Sequence, residues 1–293
     1  MNNQTVMITG ATSGIGAVAA LELARKGARV VGVGRNPEKC AAAASRIAKE
    51  TDNLNVEYLV ADLSSQDQIH RLAEAFKAKY SRLDVLVNNA GAFFSKRQES
   101  VDGIEMTLAL NHLNYFLLTN LLLDTLKASA PARIINVSSN AHMGTQINFA
   151  DIESRRRYIS WTAYAQSKLA NVLFTYELAR RLEGTGVTAN ALHPGFVATG
   201  FGQNNHDLVG WGTRIVQRIA ARSPEQGART IIYLASSAEV DQVSGKYFVD
   251  EKEARSSPAS YDADTAMRLW ELSAGMTGLK GDLSAKKLSA AQT

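Results

Sequence analysis

Short apolar runs alternate with helical stretches along most of this chain, and that alternation restricts its folding more than any other feature. The runs are Thr5–Thr9, Ala28–Val33, Asn55–Val60, Leu83–Val87, Arg133–Val137, Val187–Leu192 and Ser244–Phe248. Several are apolar without interruption, so as strands they would have no wet face and need cover on both sides. The stretches between them read as helices. One runs from about residue 14 to 26, ahead of Gly27; a second is opened by Asn36-Pro37. Others cover about Gln66–Lys79, Val101–Lys127 and Thr162–Leu182, and Ser223-Pro224-Glu225-Gln226 opens a further one with a capping-box pattern. Repeated βα units of this kind predict an α/β fold: one Rossmann-like, doubly wound parallel sheet of seven strands with helices on both faces. We expect one domain over residues 1–280, with a substrate lid at about 196–222 and a flexible C-terminal tail at 281–293.

Composition excludes several function classes. Hydrophobic residues make up 45% and charged residues 20%, as in an ordinary soluble globular protein. Lys plus Arg exceeds Asp plus Glu by 32 − 28 = 4, and no basic helix or stripe accompanies that small excess, so no nucleic-acid partner is expected. Arg155-Arg156-Arg157 reads as a solvated loop. Cys40 is the only cysteine, which rules out an internal disulfide and a cysteine metal site and fits a reducing compartment. In its Ala-rich surroundings Cys40 reads as a small buried apolar residue. The greasiest stretch, Leu113–Leu123, is interrupted by Asn114, Thr119 and Asn120 and falls short of the ~18–20 residues that span a bilayer. Two Asn and a Gln precede the first apolar run, a pattern that predicts neither a signal peptide nor an N-terminal anchor. A cytoplasmic protein with no transmembrane anchor is the expectation.

The turn after the first strand, Thr9-Gly10-Ala11-Thr12-Ser13-Gly14-Ile15-Gly16, has the composition of a phosphate cradle. Glycines let the backbone approach a pyrophosphate, and the following helix N-terminus offers unpaired N–H groups. The second strand ends Val33-Gly34-Arg35, without the carboxylate that would hold a ribose 2′-hydroxyl. A small residue followed by Arg35 suits a 2′-phosphate, so the cofactor expected is NADP(H) rather than NAD(H). Tyr164 and Lys168 stand four apart in a helical stretch and so share one face. An ammonium near a phenol favours the phenolate, which predicts a Tyr164 pKa lowered from ~10 toward working pH. Asn88-Asn89-Ala90-Gly91 and Ser138-Ser139 occupy the C-terminal ends of the fourth and fifth strands, where open α/β sheets bind their ligands.

Taken together, these motifs resemble the short-chain dehydrogenase/reductase family. The resemblance runs from Thr9 to about Leu279 and rests on Thr9-Gly10-x-x-x-Gly14-Ile15-Gly16, Asp62-Leu63, Asn88-Asn89-Ala90-Gly91, Asn111, Ser139, Tyr164-x-x-x-Lys168 and Pro194-Gly195, all in the family's order. It implies Tyr164 as proton donor or acceptor, with Lys168 as its tuner and a ribose ligand. Ser139, rather than Ser138, would hydrogen-bond the substrate oxygen, and Asn111 would hold a water that links Lys168 to solvent. It further implies cofactor contacts from Gly10, Thr12, Ser13, Gly14, Ile15, Gly16 and Arg35 around the phosphates. Asp62 and Leu63 would flank the adenine, and Asn89, Ala90 and Gly91 would line the cofactor. Pro194, Gly195, Val197 and Thr199 would lie at the nicotinamide end. No metal is implied.

Ser139 and Tyr164 are 25 residues apart, and the insert Asn140–Thr162 should rim the substrate mouth. That spacing resembles the retinol-dehydrogenase-like branch, as do Tyr164-Ala-Gln-Ser167-Lys168-Leu-Ala-Asn171, His193-Pro194-Gly195 and Gly245-Lys-Tyr-Phe248. The branch implies hydride transfer between NADP(H) and a small lipophilic aldehyde, ketone or alcohol, and it admits a homo-oligomer. His193 reads as structural rather than catalytic. Two alternatives stay open: an NADP(H)-binding regulatory protein without turnover, and an NADPH-dependent carbon–carbon double-bond reductase.

Overall fold

The computed structural model describes residues 1–195 and 222–279. Its centre is one sheet in the order β3-β2-β1-β4-β5-β6-β7-β8. The strands are β1 (Thr5–Thr9), β2 (Arg29–Gly34), β3 (Val56–Val60), β4 (Val85–Asn88), β5 (Ala132–Val137), β6 (Val187–His193), β7 (Tyr247–Val249) and β8 (Lys252–Ala254). The first seven are parallel, and β8 pairs antiparallel with β7. The sheet therefore has eight strands where seven were expected. The extra one is a polar three-residue edge strand, reached by a two-residue turn at Asp250-Glu251. Both turn residues have positive φ, 52° and 65°, the geometry of a tight hairpin.

Burial on two sides explains the apolar strands. Met7, Leu86 and Ile134 face one core with Phe76, Phe116 and Phe174. Their neighbours Val6, Ile8, Val85, Val87 and Ile135 face the opposite core with Leu23, Ile47 and Ile231. Each such side chain contributes ~1.5–3 kcal/mol when buried, so neither face can be left wet. The first core lies under α3 (Gln66–Lys79), α5 (Asn114–Ala128) and α6 (Ser160–Arg181); the second lies under α1 (Gly14–Arg25), α2 (Pro37–Thr51) and α7 (Pro224–Ser236). Cys40 is buried in α2. The helix opened by Ser223 carries the capping box its sequence predicts.

One helical expectation needs correction. The stretch from Val101 is not helical before Met106. Gly103 turns the chain with φ 73°, and Glu105 caps the helix by accepting from the Thr107 and Leu108 amides at 2.7 and 2.8 Å. From there α4 (Met106–Leu108) passes through a π-helical turn (Ala109–Leu113) into α5. A further helix, α8 (Ala263–Met276), packs Leu269 and Ala266 against Leu169 and Leu173 of α6. The insert after Ser139 docks beside them through Ile147, Phe149 and Ile152. Gln166 holds it by accepting from the Asn148 amide and donating to the Ile152 carbonyl, at 2.8 and 3.0 Å. Its middle is thus fastened to α6, while its two ends adjoin Ser139 and Tyr164.

Candidate active site

The sheet order reverses between β1 and β4, and such a switch point opens a crevice at the strands' carboxyl ends. The glycine turn leaves β1 there, and Asn89-Ala90-Gly91 leaves β4. Thr9 joins the two. Its hydroxyl accepts from the Asn89 and Ala90 amides at 2.8 and 3.0 Å and donates to the Val87 carbonyl at 3.3 Å. Asn89 returns the contact, its Nδ2 donating to the Thr9 carbonyl at 2.8 Å. The fit is tight enough to demand glycine. A Cβ on Gly16 would stand 2.5 Å from both Asn89 Nδ2 and the Gly10 carbonyl oxygen, and Gly10 itself has φ 66°.

The Ser13 side chain makes no capping hydrogen bond at the start of α1, which leaves the first-turn amides for a ligand, as an anion site requires. Arg35 follows the buried end of β2, is exposed, and forms no ion pair among the described residues. Thr12 packs on Gly34, where a Cβ would lie 2.5 Å from Thr12 Cγ2. Ile15 is buried in the core below the turn. At the end of β3 the Asp62 carboxylate accepts from the Ser64 amide and hydroxyl, at 2.9 and 2.7 Å. The Leu63 side chain is buried in the core, so backbone is what this step presents to the crevice.

The four expected catalytic residues converge beside this turn. Asn111 sits in the π-helical turn, a distortion that re-aims backbone groups and recurs at functional sites. Its Oδ1 accepts from the Ala92 amide at 2.8 Å, and its Nδ2 donates to the Ala92 carbonyl at 3.0 Å and to Ser167 Oγ at 3.1 Å. A Cβ on Gly91 would lie 3.0 Å from Asn111 Oδ1 and 3.4 Å from Lys168 Nζ. The Ser139 hydroxyl acts on the Tyr164 phenol in the direction that lowers its pKa. Ser138 has different work: its hydroxyl donates to the Lys168 carbonyl at 2.7 Å and pins α6 to β5. Phe93 meets the Tyr164 ring edge-on at 5.8 Å, and Trp161 lies 6.1 Å from it. Pro194 and Gly195 follow β6, with Gly195 at φ 84°. Val197, Thr199, the expected lid up to residue 221 and the tail at 281–293 lie outside the described residues.

The electrostatics correct one expectation. Burial pushes the Tyr164 phenol up to about 12, against the lowering effect of Ser139. Burial also pulls Lys168 down to about 8. The predicted acidification of the phenol is absent because both groups are enclosed and a low dielectric disfavours each charged form. Lys168 Nζ donates to the Val137 carbonyl at 3.3 Å and lies 5.7 Å from the centre of the Tyr164 ring.

Three buried residues without a role assigned from sequence belong to the same polar interior. Asn171, one turn beyond Lys168, donates through Nδ2 to the Asn111 carbonyl at 2.9 Å. That polarity leaves its Oδ1 for His112 Nδ1 at 3.3 Å, and His112 Nε2 meets Ser273 Oγ of α8 at 2.9 Å. The helical spacing of Asn171 from Lys168 was a usable signal. Nothing local points to His112 or Ser273.

Residues 4–210 match the family model described as short chain dehydrogenase. Human retinol dehydrogenase 13 is 46% identical over 282 residues, covering 94% of this chain and 85% of that protein. Among solved structures, a putative uncharacterized protein from Mycobacterium paratuberculosis superposes with a TM-score of 0.76 at 36% identity, covering 94% of each chain. The Pseudomonas aeruginosa RhlG/NADP active-site complex superposes with a TM-score of 0.67 at 30% identity, covering 85% of this chain and 94% of that one. With the switch-point crevice and the Asn111, Ser139, Tyr164 and Lys168 cluster already in place, these matches put the chain in the short-chain dehydrogenase/reductase family, in its retinol-dehydrogenase-like branch, among nicotinamide-dependent oxidoreductases of alcohol and carbonyl groups.

Proposed function

We propose that this protein transfers a hydride between NADP(H) and a small lipophilic carbonyl or alcohol, with Tyr164 as the proton donor in reduction. The observation that carries the reading is the meeting of Tyr164 and Lys168, whose Nζ lies 5.7 Å from the phenol ring, beside the Gly91 edge of the switch-point crevice.

The residues fit the cofactor. Unspent amides at the start of α1 and the close-packed Gly10 and Gly16 suit a pyrophosphate. Arg35, with no ion pair among the described residues, suits a 2′-phosphate, and one similar structure is an NADP complex. When bound, the cofactor supplies the hydride. The protein's own part is the proton. A phenol held up at about 12 is fully protonated at neutral pH, the form an acid needs when a carbonyl oxygen gains charge. Ser139 is placed to share that oxygen. Lys168 keeps its proton below about pH 8, and its ammonium favours the phenolate as it forms. Reduction is therefore the favoured direction near neutrality, and alcohol oxidation gains as pH rises and Tyr164 more readily accepts a proton.

Apolar surface around Tyr164 supports a lipophilic substrate. Met143, Ile159 and Trp161 of the insert are all exposed, and Phe93 and Trp161 flank the phenol. The name of one relative, retinol dehydrogenase, points the same way.

The test is a panel of decanal, all-trans-retinal, cyclohexanone and 2-cyclohexenone with NADPH and NADH, with products identified. Alcohol products with an NADPH preference support the reading. Arg35→Asp should shift that preference ~10–100-fold toward NADH, the value of losing a charge-assisted pair and gaining a repulsion. Cofactor binding without turnover would favour a regulatory protein, and saturation of the enone's double bond would favour an alkene reductase.

A further inference from the structure

His142 lies just past Ser139 and is fully buried. Its ring nitrogens join two distant backbone groups. Nδ1 lies 2.6 Å from the Ser139 carbonyl oxygen. Nε2 lies 3.0 Å from the amide of Ser257, 115 residues away and beyond β8. A carbonyl can only accept and an amide can only donate, so the partners dictate the ring: a proton on Nδ1, a lone pair on Nε2, no net charge. The Tyr247 ring packs against it at 4.9 Å. On the next residue the Asn140 amide donates to His193 Nδ1 at 3.2 Å, and the Ala141 amide donates to Ser139 Oγ at 3.2 Å.

We propose that His142 is a positioning residue for Ser139, tying its carbonyl to the Ser257 amide so that the Ser139 hydroxyl stays directed at Tyr164. The inference rests on the reading of Ser139 as the residue that binds the substrate oxygen. Ser139 is extended, φ −160° and ψ 155°, at the head of a short 3-10 turn (Asn140–His142). A single 3-10 turn is weakly held by its own hydrogen bonds. Rotation about the peptide of Ser139 would swing its hydroxyl away from the phenol, and a displacement of ~1 Å in such a group costs up to ~100-fold in rate. The ring of His142, itself anchored from outside the turn by the Ser257 amide, blocks that rotation by holding the carbonyl. It also makes the segment that follows β8 part of the catalytic framework, although that segment supplies no group to the reaction.

Two amides separate this role from simple core filling. In His142→Asn the side-chain amide takes the place of Nδ1 and still donates to the Ser139 carbonyl. In His142→Gln the amide oxygen reaches the place of Nε2 and still accepts from Ser257, but the bond to Ser139 is lost. Ser257→Pro deletes the anchoring N–H, and Ser257 already has the proline-like φ of −62°. With NADPH and the faster of retinal and decanal, His142→Gln should lower kcat ~10-fold or more, Ser257→Pro ~3–10-fold, and His142→Asn less than ~3-fold. The NADPH Kd, measured by fluorescence titration, should stay within ~2-fold for all three. In a Ser139→Ala background the His142→Gln effect on residual activity should vanish, because both act through one hydroxyl.

Equal losses from the Asn and Gln variants, or wild-type kcat in His142→Gln, would overturn the inference. Ser139→Ala alone keeps the two failures apart. If it is inert while the His142 and Ser257 variants behave as wild type, only the positioning role falls. If it keeps wild-type activity, the reading of Ser139 falls and takes the inference with it.

Discussion

The two halves of the crevice are built from different materials. Around the turns after β1 and β4, backbone meets backbone: glycines at contact distance, amides left unspent, and Thr9 bridging two loops through its hydroxyl. Around β5 and α6 the material is buried polar side chain: Tyr164, Lys168, Asn111, Asn171, His112 and His142, most of them answering to partners far along the chain. A cradle of backbone can be strong and cost little, because its groups are neutral and the turn itself satisfies many of them. A proton-transfer site needs titratable groups out of water, and each such group is held against a desolvation cost. The difference predicts that changes in the first half alter binding and packing, whereas changes in the second half trade activity against stability.

Lys168→Met should sharpen that contrast most. Activity should fall ~10²–10⁴-fold, the usual worth of a tuned proton-transfer group, while the protein gains stability. The sign follows from the shift. Lys168 is pulled from 10.5 to about 8 in the folded protein, so below pH 8 the folded state carries a buried charge at a cost of roughly 3 kcal/mol. That cost is relieved as pH rises from about 8 toward 10.5. Denaturant titrations should show Lys168→Met more stable than wild type at pH 7, with the gap narrowing through that window. A less stable variant with a pH-independent gap would break the comparison.

Gly16→Ala comes next. Its Cβ would meet Asn89 Nδ2 and the Gly10 carbonyl oxygen at 2.5 Å, so the Thr9–Asn89 tie must open. The expected result is a loss of NADPH affinity of ~10-fold or more and ~1–3 kcal/mol of stability, with kcat at saturating cofactor little changed. The smallest effect belongs to Ser138→Ala. Removing the hydroxyl that holds the Lys168 carbonyl should cost ~1–2 kcal/mol of stability and less than ~3-fold in kcat. A collapse of kcat there would mean that Ser138, not Ser139, faces the substrate.

The same contrast explains what could be read from sequence. The cofactor half is written in local patterns. A glycine turn after an apolar strand, an Asn-Asn-Ala-Gly after another, and Arg35 after Gly34 each sit within a few residues, and β1 and α3 match their sequence-predicted bounds. Tyr164 and Lys168 were legible through helical spacing. Their electrostatics were not, because burial comes from residues that tertiary packing brings in. His112 and Ser273 are 161 apart, and His142 and Ser257 are 115 apart; no local period links such pairs. The edge strand β8, Lys252–Ala254, carries no sequence signal because it has no apolar run and its turn residues are Asp250 and Glu251 rather than Asn-Gly. The π-helical turn at Asn111 likewise has no propensity signature. It shows in the backbone, where the Asn114 amide reaches back five residues to the Ala109 carbonyl.

Tyr164→Phe offers the most direct test of the central claim. The substitution removes one oxygen from a residue that is 8% exposed and leaves the ring packed between Phe93 and Trp161. Calorimetric titration with NADPH should give a Kd within ~2-fold of wild type, while steady-state reduction of the best aldehyde falls ~10²–10⁴-fold. Aldehyde reduction within ~10-fold of wild type, with NADPH binding intact, would contradict the assignment of Tyr164 as the proton donor.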